Sequence, residues 1–134
     1  MTRTIADATE RAHLRVGLAD DDPAARRVLG RMLRHLGHEV VFQVATGRQL
    51  VDRCHDTPAD VVIADIKMPE MDGLDAADLI FEETHTPVIV LSGYGSLQFL
   101  RRAQQGHVES YLMKPATLAQ LEDAIAWATR PHSV

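Results

Sequence analysis

Two stretches of the chain are apolar without a break, Val61-Val62-Ile63-Ala64 and Val88-Ile89-Val90-Leu91. Short runs with no polar alternation, closed by turn-forming residues, predict strands buried on both faces, as in the middle of a parallel sheet. Three weaker signals accompany them. Residues 14–19 (LRVGLA) alternate apolar and other positions, residues 39–45 (EVVFQVA) are rich in β-formers, and residues 110–113 (SYLM) predict a short fifth strand.

Helical periodicity fills the gaps. The first helix, over 24–36, sets Ala25, Val28, Leu29, Met32, Leu33 and Leu36 on one face. A second opens at Thr46-Gly47, passes through Leu50, Val51 and Cys54 and ends before Pro58. A third begins at Asp72-Gly73, with Asp72 as its cap and Leu74, Ala77, Ile80 and Phe81 facing inward. Residues 96–105 predict a weaker helix carrying Leu97 and Leu100, closed by Gly106. The last helix has Leu118, Leu121, Ile125 and Ala128 as its inner face and leaves Trp127 off that stripe, partly exposed. The punctuation agrees with this division. Asp22 suits an N-cap ahead of Pro23 at the first helical position, Gly37 is a helix stop, and Thr117 with Gln120 forms a capping box.

Strands alternating with helices across short loops predict a doubly wound α/β fold, a five-stranded parallel sheet with helices on both faces. By analogy with flavodoxin-like sheets the strand order is 2-1-3-4-5, which makes the gap between strands 1 and 3 a topological switch point. At 134 residues the chain suits one domain, assigned to residues 14–128 between a polar N-terminal tail, 1–13, and a C-terminal tail, 129–134.

Composition narrows the function classes. No apolar run approaches the ~20 residues that span a membrane, and 1–13 lacks the apolar core of a signal peptide. A net charge of −5 argues against a nucleic-acid surface, so the pairs Arg26-Arg27 and Arg101-Arg102 read as solvated helix faces. The seven histidines form no HExxH or related metal spacing. Cys54, the single cysteine, sits in an apolar helical setting and reads as a core thiol in a reducing, cytoplasmic compartment.

The strand tips carry the chemistry. Strand 1 delivers Asp20 and Asp21, strand 3 Asp65, strand 4 Ser92 and strand 5 Lys114. Three carboxylates in one cleft repel unless a cation offsets them. Oxygen-only ligands suit Mg²⁺ or Mn²⁺ over zinc. A divalent ion and Lys114 around Asp65, with a hydroxyl from Ser92, are the parts that phosphoryl transfer to a carboxylate needs.

The pieces LADDDP, ADIKMPEMDG, VIVLSGYG and YLMKP, in that order, make the chain closely resemble a response regulator receiver domain, the phospho-acceptor module of two-component signalling. The resemblance covers about residues 14 to 128 and implies phosphorelay signalling. It makes Asp65 the acceptor of phosphate from a phosphohistidine on a sensor histidine kinase or phosphotransfer protein. It makes Asp21 a direct Mg²⁺ ligand, Asp20 a ligand through water and the Lys67 backbone carbonyl a further contact. It assigns Lys114 to the phosphoryl oxygens, a cis bond to Pro115, and a switch to Ser92 and Tyr111. The output is a changed surface over strand 4, helix 4, strand 5 and helix 5, offered to an output protein or, through the helix 4 to helix 5 face, to a second copy.

Three features depart from the family pattern. Lys67 and Tyr94 occupy the positions that tune acyl-phosphate lifetime, and Gln105-Gly106-His107-Val108-Glu109-Ser110 replaces a more usual Gly-Ala pair. The SGYGS wording also has a fainter likeness to receivers attached to RNA-binding antiterminator modules. No such module follows in the sequence, so output is expected through a partner or through a domain that the given sequence lacks, and the net charge of −5 argues against direct nucleic-acid binding. The expected role is that of a switch, not of a turnover enzyme. The alternatives are a phosphatase of the haloacid dehalogenase type, whose D-x-D-x-T/V motif Asp20-Asp21-Asp22-Pro23-Ala24 does not complete, and a receiver-like scaffold that is never phosphorylated.

Overall fold

The computed structural model describes residues 13–93 and 95–131. Their elements run β1 (Arg15–Ala19), α1 (Pro23–His35), β2 (Glu39–Val44), α2 (Gly47–Asp56), β3 (Val61–Asp65), α3 (Gly73–Glu83), β4 (Val88–Ser92), α4 (Leu97–Gln105), β5 (Val108–Met113) and α5 (Leu118–Ala128). The strands form one parallel sheet in the order β2-β1-β3-β4-β5, as expected, with β3 in the middle and β5 at one edge.

Alternate side chains of each strand enter two apolar layers. Val16, Leu18, Val61, Ile63, Ile89 and Leu91 pack with Leu29 and Leu33 of α1 and with Leu121 and Ile125 of α5. Phe42, Val44, Val62, Ala64, Val88 and Val90 pack with α2, α3 and Ala103 of α4. Both faces of β3 and β4 are therefore dry, which is why their sequences show no alternation.

Local chemistry sets the helix ends. Asp22 accepts from the Ala24 N–H ahead of Pro23, Thr46 from Gln49, Asp72 from Asp75 and Ser96 from Phe99. Thr117 and Gln120 close the expected capping box. Gly37 follows α1 with φ 93°, a conformation that costs glycine little and other residues more.

Several expectations need correction. Val28 is 56% exposed, because the α1 stripe centres on Leu29, Leu33 and Leu36 and Val28 lies about a quarter-turn away. Leu97 and Leu100 of α4 are exposed, and the helix instead turns Phe99 and Ala103 inward. Leu118 is exposed at the start of α5, on the side where β5 ends the sheet of the described residues. Phe81 is also exposed, with its ring stacked on His107 at a centroid distance of 4.0 Å. β5 begins two residues earlier than 110. Val88 pairs with Val108 and Ile89 with Ser110, so Glu109 is skipped in the register, a bulge that hides the strand's start in polar sequence.

Candidate functional site

The carboxyl edge of the sheet gathers the predicted residues. The acidic side chains of Asp20, Asp21 and Asp65 each offer an oxygen, and these oxygens lie within 4.8 Å of one another. Lys114 reaches the cluster from the end of β5. Its Nζ donates to Asp20 Oδ2 at 2.8 Å and stands 3.5 Å from Asp65 Oδ2. Ser92 is buried at the tip of β4, and its carbonyl accepts from the Lys114 backbone N–H at 2.8 Å, which pins the two strand tips together. The Lys114–Pro115 bond is cis, as the resemblance implies.

Two further bonds shape the acidic side. Asp20 Oδ1 accepts from the Asp22 N–H at 2.9 Å, and the Arg26 guanidinium donates to the Asp20 carbonyl. Arg26 is therefore half-buried against the site and not a solvated residue as its sequence suggested. The loop after Asp65 folds back on it, with the Gly73 N–H donating to the Ile66 carbonyl at 2.8 Å. A Cβ at Gly73 would lie 2.2 Å from the Asp65 carbonyl oxygen, so only glycine fits this approach. Beside Asp65 a cleft of about 460 Å³ opens between Asp21, Lys67, Met68, Pro69 and Phe99.

The electrostatics follow from burial and neighbours. Burial pushes the Asp65 carboxyl above its ordinary pKa; Lys114 pulls it back, Asp20 adds to the rise, and a backbone hydrogen bond at Ile66 lowers it. Burial works against the Lys114 charge, yet the hydrogen bond to Asp20 and the charges of Asp65 and Asp20 hold its pKa above the ordinary lysine value. One ammonium facing three carboxylates leaves surplus negative charge. That surplus, with hard oxygen donors at this spacing, fits a divalent cation of the Mg²⁺ type.

The other predicted residues lie outside the cluster. Tyr111 is half-buried on β5, packed against the layer under α2, α3 and α4. The Lys67 ammonium stands 5.9 Å from the centroid of the Phe99 ring. Tyr94 falls outside the described residues. Cys54 is buried, and burial pushes its thiol up to about 12, as befits a core thiol. Sequence reasoning missed Arg102. It was read as solvated, but it donates to Asp72 at 3.1 Å and to Asp75 at 2.9 Å. These partners lie about thirty residues away, and no local signal announces them.

A parallel 2-1-3-4-5 sheet with an acidic cluster and a lysine at its carboxyl edge defines an α/β domain of the flavodoxin-like class. Residues 16–126 match the family described as Response regulator receiver domain, and the chain belongs to that family. It is a phosphorelay signalling module. The transcriptional regulatory protein PdtaR of Mycobacterium tuberculosis is 34% identical over 96% of this chain. The sensory/regulatory protein RpfC of Xanthomonas campestris is 35% identical over 84% of it. The chain spans 62% of the length of the former and 16% of the latter. Among solved structures, the signal receiver domain of NarL from Mycobacterium tuberculosis superposes with a TM-score of 0.84 at 25% identity, covering 90% of this chain and 98% of that one. A receiver domain protein from Clostridium thermocellum gives 0.79 at 30% identity, covering 86% and 93%. The family match lends nothing to the haloacid dehalogenase alternative.

Proposed function

We propose that Asp65 accepts a phosphoryl group from a phosphohistidine of a sensor kinase or phosphotransfer protein. The observation that carries this reading is the Lys114 ammonium, held between Asp20 and Asp65 at the open edge of the sheet. A carboxylate oxygen of Asp65 attacks phosphorus, the P–N bond to the donor histidine breaks, and the imidazole leaves with the bonding electrons and takes up a proton. Lys114 then exchanges its contact with Asp65 for the phosphoryl oxygens, where it offsets their charge. Mg²⁺, held by Asp20, Asp21, Asp65 and the Lys67 carbonyl, would supply further positive charge to the same oxygens. Ser92 is the hydroxyl that follows the phosphoryl group, and Tyr111, half-buried on the neighbouring strand β5 opposite Val90, is the side chain that repacks with it.

The folded receiver is taken as residues 14–128, with 1–13 and 129–134 as tails. Residues 1–12 and 132–134 lie outside the described residues, and Arg130 ties the start of the second tail to Glu109 of β5 at 3.1 Å. Leu97 and Leu100 of α4, Met113 of β5 and Leu118 and Trp127 of α5 are exposed apolar side chains, and support an output protein or a second copy docking on these elements. We assign the chain a switching role in the cytoplasm, without turnover of its own. Among its relatives, a protein-glutamate methylesterase/protein-glutamine glutaminase of Archaeoglobus fulgidus matches over 30% of its length, so a domain of this kind can be joined to an enzyme. Among the described residues no helix is long and apolar enough to cross a membrane.

Incubation with acetyl phosphate and Mg²⁺ tests the reading. The expected product is an acid-stable, hydroxylamine-labile adduct, absent from Asp65→Asn. Steady phosphate release from unrelated phosphomonoesters would favour a hydrolase. No adduct on a folded chain would favour a scaffold.

A further inference from the structure

On α3, Asp72 at the cap, Asp75 and Asp78 recur every three residues and form one acidic row. Like charges at this spacing repel unless something offsets them. The row is met by α4 and by the turn that leaves it. Arg102 donates through Nη1 to Asp72 Oδ2 at 3.1 Å and through Nη2 to Asp75 Oδ1 at 2.9 Å. The His107 backbone N–H donates to Asp78 Oδ1, and His107 Nδ1 lies 3.1 Å from the same oxygen. His107 belongs to the unusual connection before β5, which thereby acquires a structural partner.

Apolar packing holds α4 only thinly. Ala103 is its one fully buried side chain, joined by a half-buried Phe99. The clamp's other end is fastened to the acceptor. Asp72 accepts from the Asp75 N–H at 2.8 Å as the cap of α3, and the next residue, Gly73, bonds to Ile66 and presses against the Asp65 carbonyl. A shift of the loop after Asp65 must therefore move Asp72, and with it Arg102.

We propose that Arg102 is a positioning residue that couples the Asp65 loop to α4, holding α4 on the acidic row of α3 and passing the state of Asp65 to it through Asp72. The coupling rests on Asp65 being the acceptor; the clamp itself does not. By linkage, if the acceptor loop moves α4 through Arg102, loosening Arg102 uncouples the two.

Amide hydrogen exchange on the full chain, with and without acetyl phosphate and Mg²⁺, tests this in the parent, Arg102→Gln, Asp75→Asn and Arg102→Lys. In unmodified Arg102→Gln the amides of α4 should exchange on the order of fivefold faster, the effect of losing a small ion-pair network. Those of α5 should not change. Asp75→Asn leaves the Asp72 cap in place and should give a smaller rise. Arg102→Lys, a single point charge in place of a fork, should restore part of the protection. Phosphorylation should alter α4 exchange in the parent and alter it less than half as much in Arg102→Gln. Unchanged α4 exchange in Arg102→Gln overturns the clamp, and an undiminished response to phosphorylation overturns the coupling. No adduct on the parent overturns the acceptor reading and the coupling with it, while exchange in the unmodified chains still decides the clamp.

Discussion

α4 and α5 flank the same edge strand, β5, from opposite faces of the sheet, yet different forces hold them. α5 buries Leu121, Ala124, Ile125 and Ala128, packing over β4 and β5. α4 buries only Ala103, with Phe99 half-buried beside it, and is held besides by Arg102 and by the turn at His107. Apolar burial is worth roughly 1.5–3 kcal/mol per large side chain, whereas a surface ion pair contributes about 0–1 kcal/mol. A helix held by ion pairs can shift at small cost, and α4 is the helix whose polar anchor sits on the Asp65 loop. The larger share of the apolar burial and the proposed coupling thus lie on different sides of β5.

The largest test of this contrast is truncation. Ile125→Ala should cost about 2–5 kcal/mol in urea unfolding, as expected for a fully buried side chain. A comparable loss from Leu97→Ala, on exposed α4, would erase the distinction.

A pH series locates strain at Asp65 itself. The folded-state pKa of Asp65 is raised, chiefly by burial. The folded chain therefore binds this proton more tightly than the unfolded one, and ionisation takes away stability as pH rises through the folded pKa. In chelator-treated buffer at pH 7, Asp65→Asn should melt at a higher temperature than the parent. The gap should close as pH falls through the carboxylate range, where Asp65 is neutral in both states. A gap that persists at low pH would place the gain elsewhere.

Salt gives a smaller effect with a sharper address. The Debye length shortens from about 10 Å at 0.1 M to about 3 Å at 1 M. Raising salt should speed amide exchange in α4 by a few-fold and leave α5 unchanged; equal responses would mean that the two helices are held alike. The smallest effect is expected on the open edge. Leu97→Ser and Leu118→Ser should change stability by no more than about 0.5 kcal/mol, while weakening any self-association seen by sedimentation.

Much of the fold was legible because it rests on local rules. The apolar runs at Val61 and Val88 marked strands dry on both faces, and Asp22, Thr46, Asp72 and Thr117 marked helix starts through bonds that span three residues or fewer. The tips of β1, β3 and β5 were legible for a related reason. A parallel sheet brings its strand ends to one edge, so Asp20, Asp65 and Lys114 met once the order 2-1-3-4-5 was given. Misreadings came where a neighbour far along the chain decided the outcome. Val28, Leu97 and Leu118 were apolar at helical spacing, but they stay exposed among the described residues. The start of β5 was hidden because Glu109 bulges out of register.

By itself, then, the sequence determined the order and type of the elements and the identity of the carboxylates around Asp65. Periodicity and capping act over a few residues, and the sheet's topology does the rest. Only the tertiary structure decided how that site is joined to its surroundings. Arg26 lies on the Asp20 carbonyl and Arg102 on Asp72 and Asp75, contacts made by long flexible side chains whose partners are chosen by packing.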